Sequence, residues 1–390
     1  MEVYFDNSAT TRVLPEVRAI MNEAMDLEYG NPSSLHQKGV NAEKYISASR
    51  ETFAKLLKGK ENEIIFTSGG TESNNLAIFG AARANRRAGR HLITTKIEHP
   101  CVKNPMKLLE EEGYEVTYLS VDQTGHISLE ELAEALREDT ILVSIMYVNN
   151  EIGAVEPIAE AARLIHEKSP NALFHVDAIQ AFGKYRIYPA RMGIDLMSLS
   201  GHKFHGPKGT GVLYVSKNAK ISPLILGGGQ QNGMRSGTEN VPGIAGIGVA
   251  AEAAYANLEE KISHEMMLKD ALIDEMEKLP DVQVNSSRGE AGAPHIVSVT
   301  FKGVRSEVLL HSLEDRGIYV SAGSACSSNK TGKAGRKAAS DTLHAIGLSN
   351  ELAGSTLRFS FSRDNTLEEV EYCAKCIGEL LPVLRRYTAR

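Results

Sequence analysis

The chain has 390 residues, 42% of them hydrophobic and 24% charged, so it can bury a large core and is neither disordered nor fibrous in composition. A formal net charge of -6 supplies no global basic field, which disfavours a surface built to neutralise nucleic-acid phosphates. Four cysteines are too few and too scattered to form a disulfide framework at this length, so reduced thiols are expected.

The first residues, MEVYFDNSATTR, carry an acid at Glu2 and no apolar segment. They read as no secretory signal, and a cytoplasmic location is expected. The longest apolar runs, such as 141–148, fall short of the ~20 residues a membrane span needs.

Between about 60 and 215, short β-rich runs alternate with amphipathic helical ones. That pattern predicts a mostly parallel sheet with crossover helices. Strands are expected at 64–67, 92–95, 116–121, 141–148, 173–177, 196–200 and 211–215, and helices at 74–89, 129–138 and 158–168. A charge-rich helical stretch at 245–279 runs up to Pro280, where a second, smaller domain begins. Its expected strands are 295–301, 319–321 and 357–361, and its helices 306–316 and 367–386. Residues 327–340, rich in Gly, Ser and Lys, read as an exposed, mobile loop bearing Lys330, Lys333, Arg336 and Lys337.

Four segments carry candidate chemistry. In Phe66-Thr-Ser-Gly69-Gly70-Thr71-Glu72, a strand gives way to glycines and hydroxyls that open a helix, a ready anion seat. A plain capping box, Ser68 with Thr71 or Thr71 with Asn74, accounts for the polar residues equally well. In Leu173-Phe-His-Val-Asp177, an apolar strand ends in an acid. That acid either caps a following helix or pairs with a cation such as a protonated pyridine nitrogen. In Ser198-Leu-Ser200-Gly-His202-Lys203, a strand ends in a lysine where a parallel sheet places its ligand crevice, and a desolvated lysine there suits a Schiff base. By itself it would be read as a surface lysine at a loop, and the accompanying segments are what reverse that reading.

The fourth segment is Tyr319-Val-Ser-Ala-Gly-Ser-Ala-Cys326, a thiol at the root of the basic loop. Nearby lysines would raise its thiolate fraction. Cys373 and Cys376 form C-x-x-C inside a helical pattern and read as helix packing, and Cys101 receives no role. The glycines around Gly201 and Gly206 lack the Lys-Ser/Thr of a nucleoside-triphosphate loop.

Taken with Tyr4-Phe-Asp-Asn-Ser-Ala-Thr-Thr11, Glu98-His99, Val148-Asn-Asn-Glu-Ile-Gly153, the Gly227 to Asn240 run and Leu357-Arg358, these segments resemble the cysteine desulfurases of the bacterial iron-sulfur and nitrogenase-maturation type. Those are class-V aminotransferases of fold-type I. The resemblance implies an α/β fold with a mostly parallel seven-stranded sheet sandwiched by helices. It places the large domain at 13–255 and a smaller α+β domain at 1–12 plus 256–390, the latter carrying the cysteine loop at about 322–341.

The same resemblance implies pyridoxal 5'-phosphate held as a covalent aldimine on Lys203, and no metal. Asp177 would pair with the pyridine nitrogen, Gln180 with the ring hydroxyl, and His99 would stack on the ring. Gly70, Thr71, Ser200 and His202 would hold the phosphate, joined by Thr238 from the neighbouring subunit of a homodimer. Asn150 and Arg358 would bind the substrate carboxylate, and Cys326 would take sulfur from L-cysteine as a persulfide, releasing L-alanine. The acceptor would be an iron-sulfur scaffold or a tRNA-thiolation enzyme, without membrane or direct nucleic-acid contact. The segment after Cys326 is longer and more basic than in housekeeping members, which leaves the acceptor open. A selenocysteine lyase, another class-V lyase or transaminase, and an inactive sulfur-carrier adaptor are the competing readings. Cys326 on a loop argues against plain transamination, and the presence of Lys203, Asp177 and His99 argues against an adaptor.

Overall fold

The computed structural model describes residues 1–322 and 340–388. Its centre is a seven-stranded sheet in the order Ile64–Thr67, Gly211–Val215, Leu196–Ser200, Leu173–Asp177, Thr140–Met146, His91–Thr95, Glu115–Leu119. Gly211–Val215 runs antiparallel to both neighbours, and the remaining pairs are parallel.

Alternate residues of each strand feed opposite faces, as a period of two requires. Ile64, Phe66, Ile93, Val143 and Val212 pack with Phe53 of the helix Gln37–Leu57 and Ile247 of Val241–Tyr255. Their neighbours Ile65, Leu92, Leu142 and Leu213 pack instead with Leu76 of Gly70–Asn85 and Val102 and Met106 of Pro100–Glu111. A sheet covered on both sides leaves only its strand ends open for chemistry.

A smaller C-terminal part holds an antiparallel sheet in the order Ser321–Ala322, Thr356–Ser360, Ile296–Phe301, Val282–Val284. The helices Leu258–Glu277, Ser306–Glu314 and Leu367–Thr388 pack on it, and buried Cys373 and Cys376 belong to that core. The N-terminus joins the same core, since Val3–Tyr4 pairs in parallel with Ile318–Tyr319 and Val3 and Phe5 are fully buried there. Among the described residues no helix is long and apolar enough to cross a membrane.

Several sequence-based expectations change. The stretch 245–279 is two helices, Val241–Tyr255 and Leu258–Glu277, because Asn257 adopts a left-handed φ of 51° that interrupts the helix. The strand at 319–321 is two strands that serve different sheets, Ile318–Tyr319 and Ser321–Ala322. The helix expected from Asn74 starts at Gly70 and ends at Asn85.

Candidate active site

Successive parallel strands deliver their last residues to one cavity of about 250 Å³. This is the crevice at the carboxyl ends of the strands where α/β sheets bind ligands. Leu173–Asp177 brings Asp177 and, just beyond it, Gln180. Leu196–Ser200 brings Ser200, and the 3-10 turn Gly201–Lys203 adds His202 and Lys203. The chain after His91–Thr95 adds His99, and Gly70 and Thr71 enter from the start of their helix. Asn150 and Arg358 complete the set. Thr238 is exposed and lies outside the pocket of its own chain. Cys326 and the four basic residues that follow it lie outside the described residues.

One end of the pocket is a helix start stripped of side chains. Gly69 sits at φ 151° and ψ -179°, a region open essentially to glycine, and no side chain caps the helix. The capping boxes weighed from the sequence do not form at this start. A Cβ on Gly70 would fall 2.2 Å from Ile179 Cδ1, and one on Gly211 2.6 Å from the Gly69 backbone, so glycine is needed for the loop to close over the strand end. The first N–H groups and the positive end of the helix dipole therefore face a cradle beside Ser200 and His202.

Lys203 Nζ donates to the carbonyls of Ser8 at 2.5 Å and Ala9 at 2.9 Å, so the N-terminal segment supplies part of the wall. Gln180 Nε2 donates to the same Ser8 carbonyl at 3.0 Å, and Gln180 Oε1 lies 3.4 Å from the Nε2 of buried His295.

Asp177 is fully enclosed, and burial raises its carboxyl pKa against the lowering pull of the Ile179 N–H, Asn74 and Lys203. Its Oδ1 accepts from Ile179 N at 3.0 Å and its Oδ2 from Asn74 Nδ2 at 2.7 Å. No helix follows it directly, so the bond to Ile179 is a local turn and not a helix cap.

His99 caps the helix Pro100–Glu111, its Nδ1 accepting from Cys101 N at 3.2 Å. Burial and the Lys203 and Lys103 charges push its pKa down to about 4, leaving the imidazole neutral at physiological pH. Burial, Lys203 and Lys208 likewise take His202 down to about 4.

Arg358 is 3% exposed, and its Nη1 donates 2.7 Å to the Asn150 carbonyl while Nη2 meets Asp6 Oδ1 at 2.8 Å. Among the described residues its Nε has no hydrogen-bond partner. A buried guanidinium with one donor uncommitted is suited to a carboxylate.

These residues fit pyridoxal phosphate on three independent grounds. The uncapped glycine helix start suits a phosphate, and a lysine amine reaches the same cavity. Asp177, whose ionisation burial opposes, would be relieved by a cationic ring nitrogen. Sequence reasoning gave Asn74 only a capping-box reading and left Cys101, Ser8, Asp6 and His295 without roles. Asn74 stands inside the TSGGTESNN run, but nothing local to Cys101 announces that it meets Asn74 and His99.

Comparisons with known proteins bear on the fold and the family. The aminotransferase class-V family model matches residues 3–373. A protein named cysteine desulfurase IscS from Methanosarcina thermophila is 45% identical over 383 residues, spanning 98% of this chain and 93% of that one. Among solved structures, a NIFS-like protein superposes with a TM-score of 0.92 at 40% identity, covering 98% of this chain and 100% of its own. A structure titled SspA in complex with cysteine superposes with a TM-score of 0.79 at 36% identity, covering 94% and 100%. The fold, the strand-end pocket and these full-length similarities together establish that the chain belongs to the class-V aminotransferase family.

Proposed function

We propose that the chain is a pyridoxal-phosphate-dependent cysteine desulfurase, which converts L-cysteine to L-alanine and retains the sulfur as a persulfide on Cys326. The observation that carries this reading is the meeting of Lys203, Asp177, His99 and an uncapped helix start in one cavity. The full-length similarity to a protein named cysteine desulfurase supports it, as does the likeness to a structure that contains cysteine.

In this reading Lys203 would hold the cofactor through its amine, Asp177 would partner the ring nitrogen, Gln180 the ring hydroxyl, and His99 would pack against the ring. Gly70, Thr71, Ser200 and His202 take the phosphate. Bound there, pyridoxal phosphate supplies an electron sink for the charge left at the substrate Cα. Arg358 and Asn150 hold the substrate carboxylate, and the Lys203 amine takes the Cα proton. The Cys326 thiolate attacks the substrate sulfur, so an S–S bond forms as the Cβ–S bond breaks. Overall, one Cys326 thiol and one cysteine give one persulfide and one alanine, with every hydrogen retained.

The chain length supports this reach. Cys326 lies four residues beyond Ala322, and four residues span at most ~14 Å. Ala322 pairs with Leu357, next to Arg358 of the pocket, and Ser321 pairs with Arg358 itself.

The reading extends to a cytoplasmic homodimer in which Thr238 of the partner subunit joins the phosphate seat. Its exposure outside its own pocket supports that placement. The acceptor would be an iron-sulfur scaffold or a tRNA-thiolation enzyme. Protein loaded with pyridoxal phosphate and given L-cysteine plus dithiothreitol should yield alanine and sulfide in equal amounts. Pyruvate in place of alanine, or no product, would overturn the assignment.

A further inference from the structure

We propose that Cys101 is a positioning residue of this pocket. Its thiol joins its own backbone N–H in donating to Nδ1 of an Nε2-protonated His99 imidazole and ties that ring, through Asn74, to the Asp177 carboxylate. The consequence for turnover rests on the desulfurase reading, whereas the hydrogen-bond chain stands on geometry.

The directions of the bonds determine one another. The Cys101 backbone N–H donates to His99 Nδ1 at 3.2 Å, so Nδ1 presents its lone pair and the proton of the neutral ring sits on Nε2. Cys101 Sγ lies 2.8 Å from the same Nδ1, and against a lone pair the S–H must be the donor. The sulfur lone pairs are then free to accept from Asn74 Nδ2 at 3.0 Å. The second Asn74 N–H goes to Asp177 Oδ2 at 2.7 Å. The opposite amide orientation would set Asn74 Oδ1 against that carboxylate, while in the observed one Oδ1 meets no hydrogen-bond partner among the described residues. Asn74 is fully buried and Cys101 8% exposed, so water cannot readily substitute.

The chain crosses three separate elements: Asn74 on Gly70–Asn85, Cys101 on Pro100–Glu111 and Asp177 at the end of Leu173–Asp177. It therefore coordinates the acid at one end of the cavity with the imidazole at its side. An alanine at 101 takes the sulfur acceptor from an Asn74 N–H and the thiol donor from His99 Nδ1. A serine keeps both directions, since its hydroxyl donates and accepts as the thiol does.

The test is nitrogen-15 NMR of the purified holoenzyme labelled at its histidine rings, with His99 assigned among the 12 histidines by His99→Gln. The proposal expects an unprotonated Nδ1 in the wild type, a still unprotonated but shifted Nδ1 signal in Cys101→Ala, where the backbone donor remains and the thiol donor is gone, and a return to the wild-type signal in Cys101→Ser. In parallel, kcat should fall about tenfold in Cys101→Ala with KM changed less than about twofold, and recover to within about threefold in Cys101→Ser. A proton on Nδ1 in the wild type, or a Cys101→Ala ring signal identical to the wild type, overturns the proposal. Should Cys101→Ala fail to fold, the wild-type and Cys101→Ser signals decide alone. The predicted ring signals in a protein that yields no alanine would uphold the positioning role and sink the desulfurase assignment.

Discussion

The Lys203 amine rests 2.5 Å from the carbonyl of Ser8, a residue 195 positions earlier, near the N-terminus. Carbonyls of Ser8 and Ala9 thus keep the side chain inside the cavity before any ligand arrives.

That placement predicts the outcome of removing the amine. Lys203→Ala should fold, bind pyridoxal phosphate reversibly, and show no adduct fixed by borohydride, with turnover lowered by roughly 1,000-fold or more. Peptide mapping after reduction checks this. An adduct on another lysine would contradict it.

Asp177→Asn keeps the shape of the carboxylate but removes its charge. The variant should release the cofactor during dialysis that leaves the wild type loaded, and its turnover should fall about 100-fold or more. Absorbance of the retained protein reads the first effect directly. Equal retention in the two proteins would count against a cationic nitrogen at Asp177.

Arg358→Lys tests the carboxylate seat while keeping a cation near Asp6. A point charge cannot reproduce the guanidinium fork, so KM for cysteine should rise about tenfold or more, with a smaller change in kcat. Steady-state kinetics separates the two, and an unchanged KM would remove Arg358 from substrate binding. Arg358→Ala would in addition strand Asp6, its ion-pair partner at 2.8 Å, and is the less clean variant.

What could be read in the sequence, and what could not, follows from the range of the forces involved. The strands Leu173–Asp177 and Leu196–Ser200 are legible to the residue because both faces are buried, which makes them mostly apolar runs, interrupted by His175 and Ser198, that end in polar groups. The helix Gln37–Leu57 escapes notice because its buried positions include Gly39, Ala42, Ser49 and Ala54, small residues that leave little periodic signal. The site residues that recur in motifs, Lys203, Asp177 and His99, are legible through resemblance. Cys101 is not, since its partner Asn74 lies 27 residues away, Asn74 in turn meets Asp177 a further 103 residues from it, and only the sheet brings the three together.

Stability should fall as pH rises from about 6.5 to 8. Burial raises the folded pKa of Glu98 and of Glu156 to about 8, so the folded state holds protons that the unfolded chain has already released. In that window the folded state binds more protons than the unfolded one, and stability decreases with pH by on the order of 1–2 kcal/mol per carboxyl. His99 and His202, lowered to about 4, act with the opposite sign, but only below about 6.5. Glu98→Gln, which keeps an acceptor for Met146 N and Thr95, should flatten part of the decline in urea denaturation between pH 6.5 and 8. An identical slope in wild type and variant would contradict a protonated Glu98.

Incubation of the cofactor-loaded protein with sulfur-labelled L-cysteine, followed by peptide mapping without reductant, bears most directly on the reaction itself. Label should appear as a persulfide on the peptide containing Cys326, be released by dithiothreitol, and be absent from Cys326→Ala, which keeps its cofactor spectrum. Label retained at full level in Cys326→Ala, or found on Cys101 in the wild type, would contradict the assignment of Cys326 as the sulfur acceptor.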